Sequence, residues 1–124
     1  MTKNEVYMKI LTIIASLLLI AFSVFASETN LGVASWYGGG EPLNKYTANG
    51  EIFDPAEMTC ASWYYPFNTY LKVTNIESGR YIIVRVNDRG PNKRLGRIID
   101  LTRDAFAKIC STGKGLVRVS VEEV

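Results

Sequence analysis

The stretch Tyr70-Leu71-Lys72-Val73-Thr74-Asn75-Ile76-Glu77-Ser78-Gly79-Arg80-Tyr81-Ile82-Ile83-Val84-Arg85-Val86 decides the fold class. Residues Tyr70 to Thr74 alternate apolar and polar, as a strand with one buried face does. Asn75 to Gly79 is rich in turn formers. Tyr81 to Val86 is dense in β-branched residues, which pack well on a pleated surface. The two runs read as a hairpin turning at Ser78-Gly79. Outward from it, Val33–Trp36 and Arg97-Ile98-Ile99-Asp100-Leu101 are short strand candidates, and Leu116–Val121 alternates cleanly to close the chain. One helix interrupts: Thr102 is placed as its N-cap, Asp104 lies in its first turn, and Ala105, Phe106 and Ile109 form an apolar stripe up to Cys110. Gly113 and Gly115 follow as breakers. About six short strands and one or two short helices make a mainly β domain, and closing the strands into a small barrel removes exposed sheet edges.

The chain has 124 residues, room for little more than one domain. Hydrophobic residues make up 48% and charged ones 21%, a balance that supports a packed core. A net charge of +2, from 14 basic and 12 acidic residues, does not point to nucleic acid. Histidine is absent, which removes His-based metal sites, Ser–His–Asp triads and Cys–His dyads. Two cysteines are too few for a structural zinc site, so no metal and no cofactor are expected. Lys3 and Lys9 precede an apolar run from Ile10 to Ala26 that is broken only by Thr12, Ser16 and Ser23. Val24-Phe25-Ala26 then sets small residues three and one before a cut. Residues 1–26 are expected to be a signal peptide, with Met8 an alternative start, and residues 27–124 the barrel domain. A retained anchor is the other reading, because the run is at the short end of the roughly 17–25 residues that span a bilayer. No Cys flanks the cut, so lipid attachment is not expected.

Four segments carry residues that could do chemistry. Ala34-Ser35-Trp36-Tyr37-Gly38-Gly39-Gly40 ends a strand in two aromatics whose faces suit sugar rings, or which simply pack the domain. The glycines are not a phosphate loop, since no Gly-Lys-Ser/Thr follows. Thr47-Ala48-Asn49-Gly50-Glu51 presents a carboxylate just after a tight turn, either as an acid/base group or as a solvated turn residue. Ala61-Ser62-Trp63-Tyr64-Tyr65-Pro66-Phe67 is dense in aromatics that line a groove or fill the barrel. Val86-Asn87-Asp88-Arg89-Gly90-Pro91 brings a polar cluster straight out of an apolar strand, where partial desolvation raises a carboxyl pKa toward what an acid catalyst needs. Arg85, Arg89, Lys93, Arg94 and Arg97 form a basic stripe suited to an anionic polymer or to solvent. No aromatics are interleaved there to stack bases.

The order and spacing of Ala34-Ser35-Trp36-Tyr37-Gly38, Thr47-Ala48-Asn49-Gly50-Glu51, Pro66-Phe67-Asn68-Thr69, Val73-Thr74-Asn75, Asn87-Asp88-Arg89-Gly90-Pro91 and Gly96-Arg97-Ile98-Ile99-Asp100-Leu101 resemble the rare lipoprotein A family. The resemblance runs from about Gly32 to Val121. It implies a six-stranded double-psi β-barrel, the fold also of expansins, and lytic transglycosylase activity on peptidoglycan glycan strands stripped of stem peptides. By position the family's catalytic Glu falls on Glu51 and its catalytic Asp on Asp88. Its His falls on Ser62, four residues before Pro66. The lipid anchor and peptidoglycan-binding repeat common in the family are not expected here.

The implied reaction needs no catalytic water. An acid protonates the oxygen bridging muramic acid and glucosamine, and the muramic C6 hydroxyl attacks its own C1 to give a 1,6-anhydro end. Asp88 is expected to be the general acid/base. Glu51 is expected to orient the sugar or steady positive charge at C1, and Ser62 to keep a hydrogen bond in the groove beside them. Trp36, Tyr37, Tyr65, Asn87 and Arg89 are expected to bind substrate. The expected partner is peptidoglycan, with no nucleic acid and with membrane contact only through an uncleaved signal segment. A monomer exported to the periplasm or cell exterior and associated with the wall is expected. The alternatives are a non-catalytic, expansin-like glycan-binding or wall-loosening barrel, and a small secreted interaction factor. Cys60 and Cys110 either form a disulfide or stay as inert thiols.

Overall fold

The computed structural model describes residues 1–25 and 28–124, with backbone alone over 19–25. The expected cut after Ala26 lies outside the described residues. Helix α1 spans Lys3–Phe25, a stretch free of Gly and Pro and mostly apolar after Lys9. Its start is a reciprocal cap: Thr2 Oγ accepts from the Glu5 N–H at 3.2 Å, and the Glu5 carboxylate accepts from the Thr2 N–H at 2.9 Å. Among the described residues, no helix is long and apolar enough to cross a membrane.

The rest is a closed barrel of six strands: β1 (Thr29–Tyr37), β2 (Thr59–Ala61), β3 (Tyr70–Asn75), β4 (Tyr81–Asp88), β5 (Ile99–Thr102) and β6 (Val117–Glu123). Round the barrel they run β1-β5-β2-β4-β3-β6. The β3–β4 hairpin is antiparallel, with Leu71 opposite Val84 and Val73 opposite Ile82, and β6 bridges β3 and β1. Two pairs are parallel, β1 with β5 and β2 with β4. Period-2 alternation sends Leu71, Val73, Val84, Val86, Ile99, Leu101, Val119 and Val121 into one core. Helix α2 (Arg103–Ala107) closes that core with Phe106, and Ile109 follows it inward.

Strand β2 was not foreseen. It is three residues long and buried on every side, so it shows no alternation. It nevertheless joins β4 to β5 and completes the closure. Its register against β4 slips: Cys60 pairs with Val86, but Ala61 pairs with Asp88. The resulting bulge sets Asn87 out of step and swings Asp88 to the barrel mouth. Helix α2 is shorter than expected. Thr102 occupies its N-cap position without capping it, because the hydroxyl donates instead to the Glu57 carbonyl at 2.6 Å. Both cysteines are free thiols, the second of the two alternatives: Cys60 is sealed inside the barrel, while Cys110 is half-buried beyond α2.

Candidate active site

Asp88 ends β4, and its carboxylate is an acceptor on both oxygens. Oδ1 accepts from the backbone N–H groups of Ala48 and Arg89, each at 2.9 Å. Oδ2 accepts from the Tyr37 hydroxyl at 3.4 Å. Tyr37 ends β1 and packs against Phe53, with ring centroids 4.9 Å apart. Burial, then the nearby Asp88 and Asp100 carboxylates, push the Tyr37 phenol far up, so it stays a donor. These groups form one side of a cleft of about 400 Å³ whose lining also includes Tyr46, Ala48, Phe53, Arg89 and Asp100.

Asp100 also lines the cleft, although the sequence places it only within a strand and a motif, without a role. It lies on β5, opposite Ser35 of β1 and Ala61 of β2, with Ile99 and Leu101 on either side turned into the core. Its Oδ1 accepts from the Ser35 hydroxyl at 3.2 Å. Burial raises its pKa to about 6, against the lowering effects of the Ser35 bond and Arg97. The available signal was a lone carboxylate inside the apolar run Ile98-Ile99-Asp100-Leu101, in a strand whose alternate residues fill the core.

Glu51 does not line the cleft. Its carboxylate is held by Arg85, Nη1 to Oε1 at 2.7 Å and Nη2 to Oε2 at 2.8 Å, with the Asn49 side-chain amide on Oε1. This bidentate clamp, then the Asn49 bond, lowers its pKa to about 2, so it has no proton to give near neutrality. The clamp fixes the turn at residues 47–51, where Gly50 takes the left-handed φ of 91° that the turn needs. That turn docks on the end of β4: Asn49 N–H donates to the Asn87 carbonyl at 3.2 Å, and Ala48 N–H reaches Asp88. Glu51 therefore acts on Asp88 through one loop.

The other expected residues separate. Ser62 is fully buried rather than in the groove: its Oγ accepts from the Tyr64 N–H at 3.1 Å, and its N–H donates to the Asp88 carbonyl at 3.1 Å. Asn87 is buried beneath the 47–51 turn, and its Oδ1 has no partner among the described residues. Arg89 lines the cleft, but its Nη1 donates to the carbonyls of Ser62 and Tyr65, and its guanidinium stacks 3.8 Å from the Phe67 ring centroid. Trp36 packs on the core, its indole N–H donating to the Thr112 carbonyl at 3.0 Å. Gly39 passes so close that a Cβ would sit 2.6 Å from the Trp36 ring. Tyr65 lies in a separate, smaller hollow with Asn30, whose amide donates to its hydroxyl at 2.7 Å. Asp88, Tyr37 and Arg89 thus meet in the cleft; Trp36 and Tyr65 do not, because each is committed to packing elsewhere.

Residues 29–121 match the lytic transglycolase family. The endolytic peptidoglycan transglycosylase RlpA of Campylobacter jejuni is 44% identical over 101 residues, covering 82% of this chain and 36% of that protein. The RlpA of Neisseria meningitidis is 40% identical over 99 residues, covering 80% and 41%. The chain thus spans well under half the length of these relatives. Among solved structures, the Streptomyces papain inhibitor superposes with a TM-score of 0.61 at 24% identity, covering 78% of this chain and 94% of that one. A mutant Clavibacter michiganensis expansin in complex with cellohexaose gives a TM-score of 0.62 at 23% identity, covering 78% and 50%. The two structures share the fold; the matched residues and the level of identity go further, and this double-psi β-barrel chain belongs to the lytic transglycolase family.

Proposed function

We propose that the protein is an exported peptidoglycan lytic transglycosylase that cuts peptide-poor glycan strands to leave 1,6-anhydromuramic ends. One observation carries the reading: in a chain of this family, two carboxyl groups, Asp88 and Asp100, line one aromatic-walled cleft. Tyr37, Tyr46 and Phe53 offer ring faces to sugars, and the Tyr37 hydroxyl holds Asp88 from the side. Asp88 is the residue that the family resemblance puts at the catalytic Asp. Glu51, clamped by Arg85, holds the 47–51 turn whose Ala48 N–H orients Asp88, and so serves the cleft by positioning. The reaction uses the substrate's own C6 hydroxyl, so the site needs a proton donor and acceptor but no held water. The charged, then apolar, start of the chain supports export through a signal peptide over residues 1–26.

The test is mass spectrometry of denuded peptidoglycan after incubation with the protein. Release of 1,6-anhydro ends is expected; intact glycan would refute cutting. A second reading, an expansin-like barrel that binds without cutting, is favoured by Ser62, buried where the family pattern has a titrating His. Co-sedimentation with glycan and no anhydro ends would support it.

A further inference from the structure

We infer that Asp100 is a catalytic residue of this cleft, the group that gives the proton to the glycosidic oxygen, while Asp88 serves beside it as the carboxylate. The inference rests on the transglycosylase reading and deepens it. The two side chains differ in their hydrogen bonds. The three bonds that Asp88 makes are all accepted, two on Oδ1 and one on Oδ2. Every one of these contacts suits an oxygen bearing charge, and a proton on Oδ1 would displace two backbone N–H groups. Among the described residues Asp100 accepts a single bond, from Ser35 on Oδ1, and its Oδ2 has no donor. A carboxyl oxygen with no protein donor, in a residue that is partly buried and lines the cleft, is free to carry a proton toward a bound substrate.

The ionisable groups around Asp100 point the same way. Tyr37 faces it from β1, Cys60 from β2, Asp88 from β4 and Glu41 from the loop after β1, while Arg97 precedes its own strand. Arg97 is the cation that acts on its charge, while Arg89, in the same cleft lining, spends its Nη1 on the Ser62 and Tyr65 carbonyls. Burial is the main cause that pushes the Asp100 pKa up to about 6, and the Glu41 and Asp88 charges add to it. A group poised there is protonated often enough near neutrality to act as an acid, and ionised often enough to act as a base.

The step balances on Asp100 alone. Its Oδ2 proton passes to the bridging oxygen as the C1–O bond breaks, freeing the glucosamine 4-hydroxyl. Asp88 supplies negative charge near the electron-poor C1. The muramic O6 then bonds to C1, and its proton returns to the Asp100 carboxylate, which restores the acid. No water or other reactant is consumed.

The test compares the full chain with Asp100→Asn and Ser35→Ala on denuded peptidoglycan from pH 4.5 to 8, reading anhydro ends by mass spectrometry and glycan binding by co-sedimentation. Asp100→Asn should keep binding and lose release by about 10²–10⁴-fold. The wild-type rate should fall as pH rises through about 6. Ser35→Ala removes a bond that favours the ionised form, so it should move that limb to higher pH. A folded Asp100→Asn protein that binds and cuts within a few-fold of wild type overturns the assignment alone. If Asp100→Asn does not fold, an unmoved limb in Ser35→Ala overturns it instead. A wild-type protein that binds glycan and releases no anhydro ends overturns the transglycosylase reading and this assignment together.

Discussion

Replacing Asp100 by Asn should stabilise the folded protein above pH 6 and leave its stability unchanged near pH 3.5. The folded-state pKa is raised from 3.8 to about 6, chiefly by burial. Below the lower value both folded and unfolded chains carry the proton, and the carboxyl costs nothing extra. Between the two values the unfolded chain releases its proton first, so wild-type stability falls as pH rises. Above about 6 both states are ionised and the cost stays constant. At about 1.4 kcal/mol per pH unit the ceiling is roughly 3 kcal/mol, and the open side of the cleft lowers the realised value to about 1–3 kcal/mol. Asn has no charge to bury and retains a carbonyl oxygen for the Ser35 hydroxyl. Urea unfolding of both proteins, followed by tryptophan fluorescence at intervals from pH 3.5 to 8, isolates this contribution because the other titrating groups cancel in the difference. A difference that stays flat across that range, or an Asn variant less stable than wild type at pH 8, would refute the burial argument.

Three further outcomes follow from the same contacts. Arg85→Met should return the Glu51 carboxyl from about 2 toward 4.5, read by carboxyl NMR; wild type keeps the stabilisation of this clamp above pH 4.5 and loses it as pH falls through about 2, a dependence the variant lacks. Ser62→His should overpack a fully buried position, lowering stability by about 1–3 kcal/mol in thermal unfolding and giving no gain in anhydro-end release. Tyr37→Phe removes a long hydrogen bond to Asp88 and should slow release about fivefold, equivalent to about 1 kcal/mol, with the unfolding temperature nearly unchanged.

Local periodicity carried most of the barrel. Leu71, Val73, Val84 and Val86 alternate with polar or exposed neighbours, and that pattern names both a strand and its buried face. It failed for β2, because Thr59, Cys60 and Ala61 are all buried and a three-residue run has no period to read. It failed again for the side chains around the cleft. Aromatic character marked Trp36 and Tyr65 as site candidates, and the family pattern marked Ser62, but each hydrogen-bonds to chain close by in space rather than opening to the cleft. The Trp36 partner, Thr112, lies 76 residues away, a contact no local window contains. Glu51 and Asp88 were visible as carboxylates, yet the Arg85 clamp that separates their roles depends on the 47–51 turn folding back onto β4.

The absence of histidine sharpens what the cleft does with pH. In a chain without imidazole, few side chains change charge between pH 5 and 8, and a carboxyl must be displaced upward to do so. Glu51 is displaced the other way, to about 2, by its arginine clamp. The Tyr37 phenol and the Cys60 thiol are both pushed up by burial, away from neutrality, so neither ionises there. Asp100 is raised into the window, by burial in a strand that two neighbouring strands cover. The same burial that costs the fold stability is what gives the cleft an acid. If Asp100 is the acid inferred above, the barrel draws its proton from β5, where desolvation by the sheet, and not a titrating ring, raises a carboxyl to about 6.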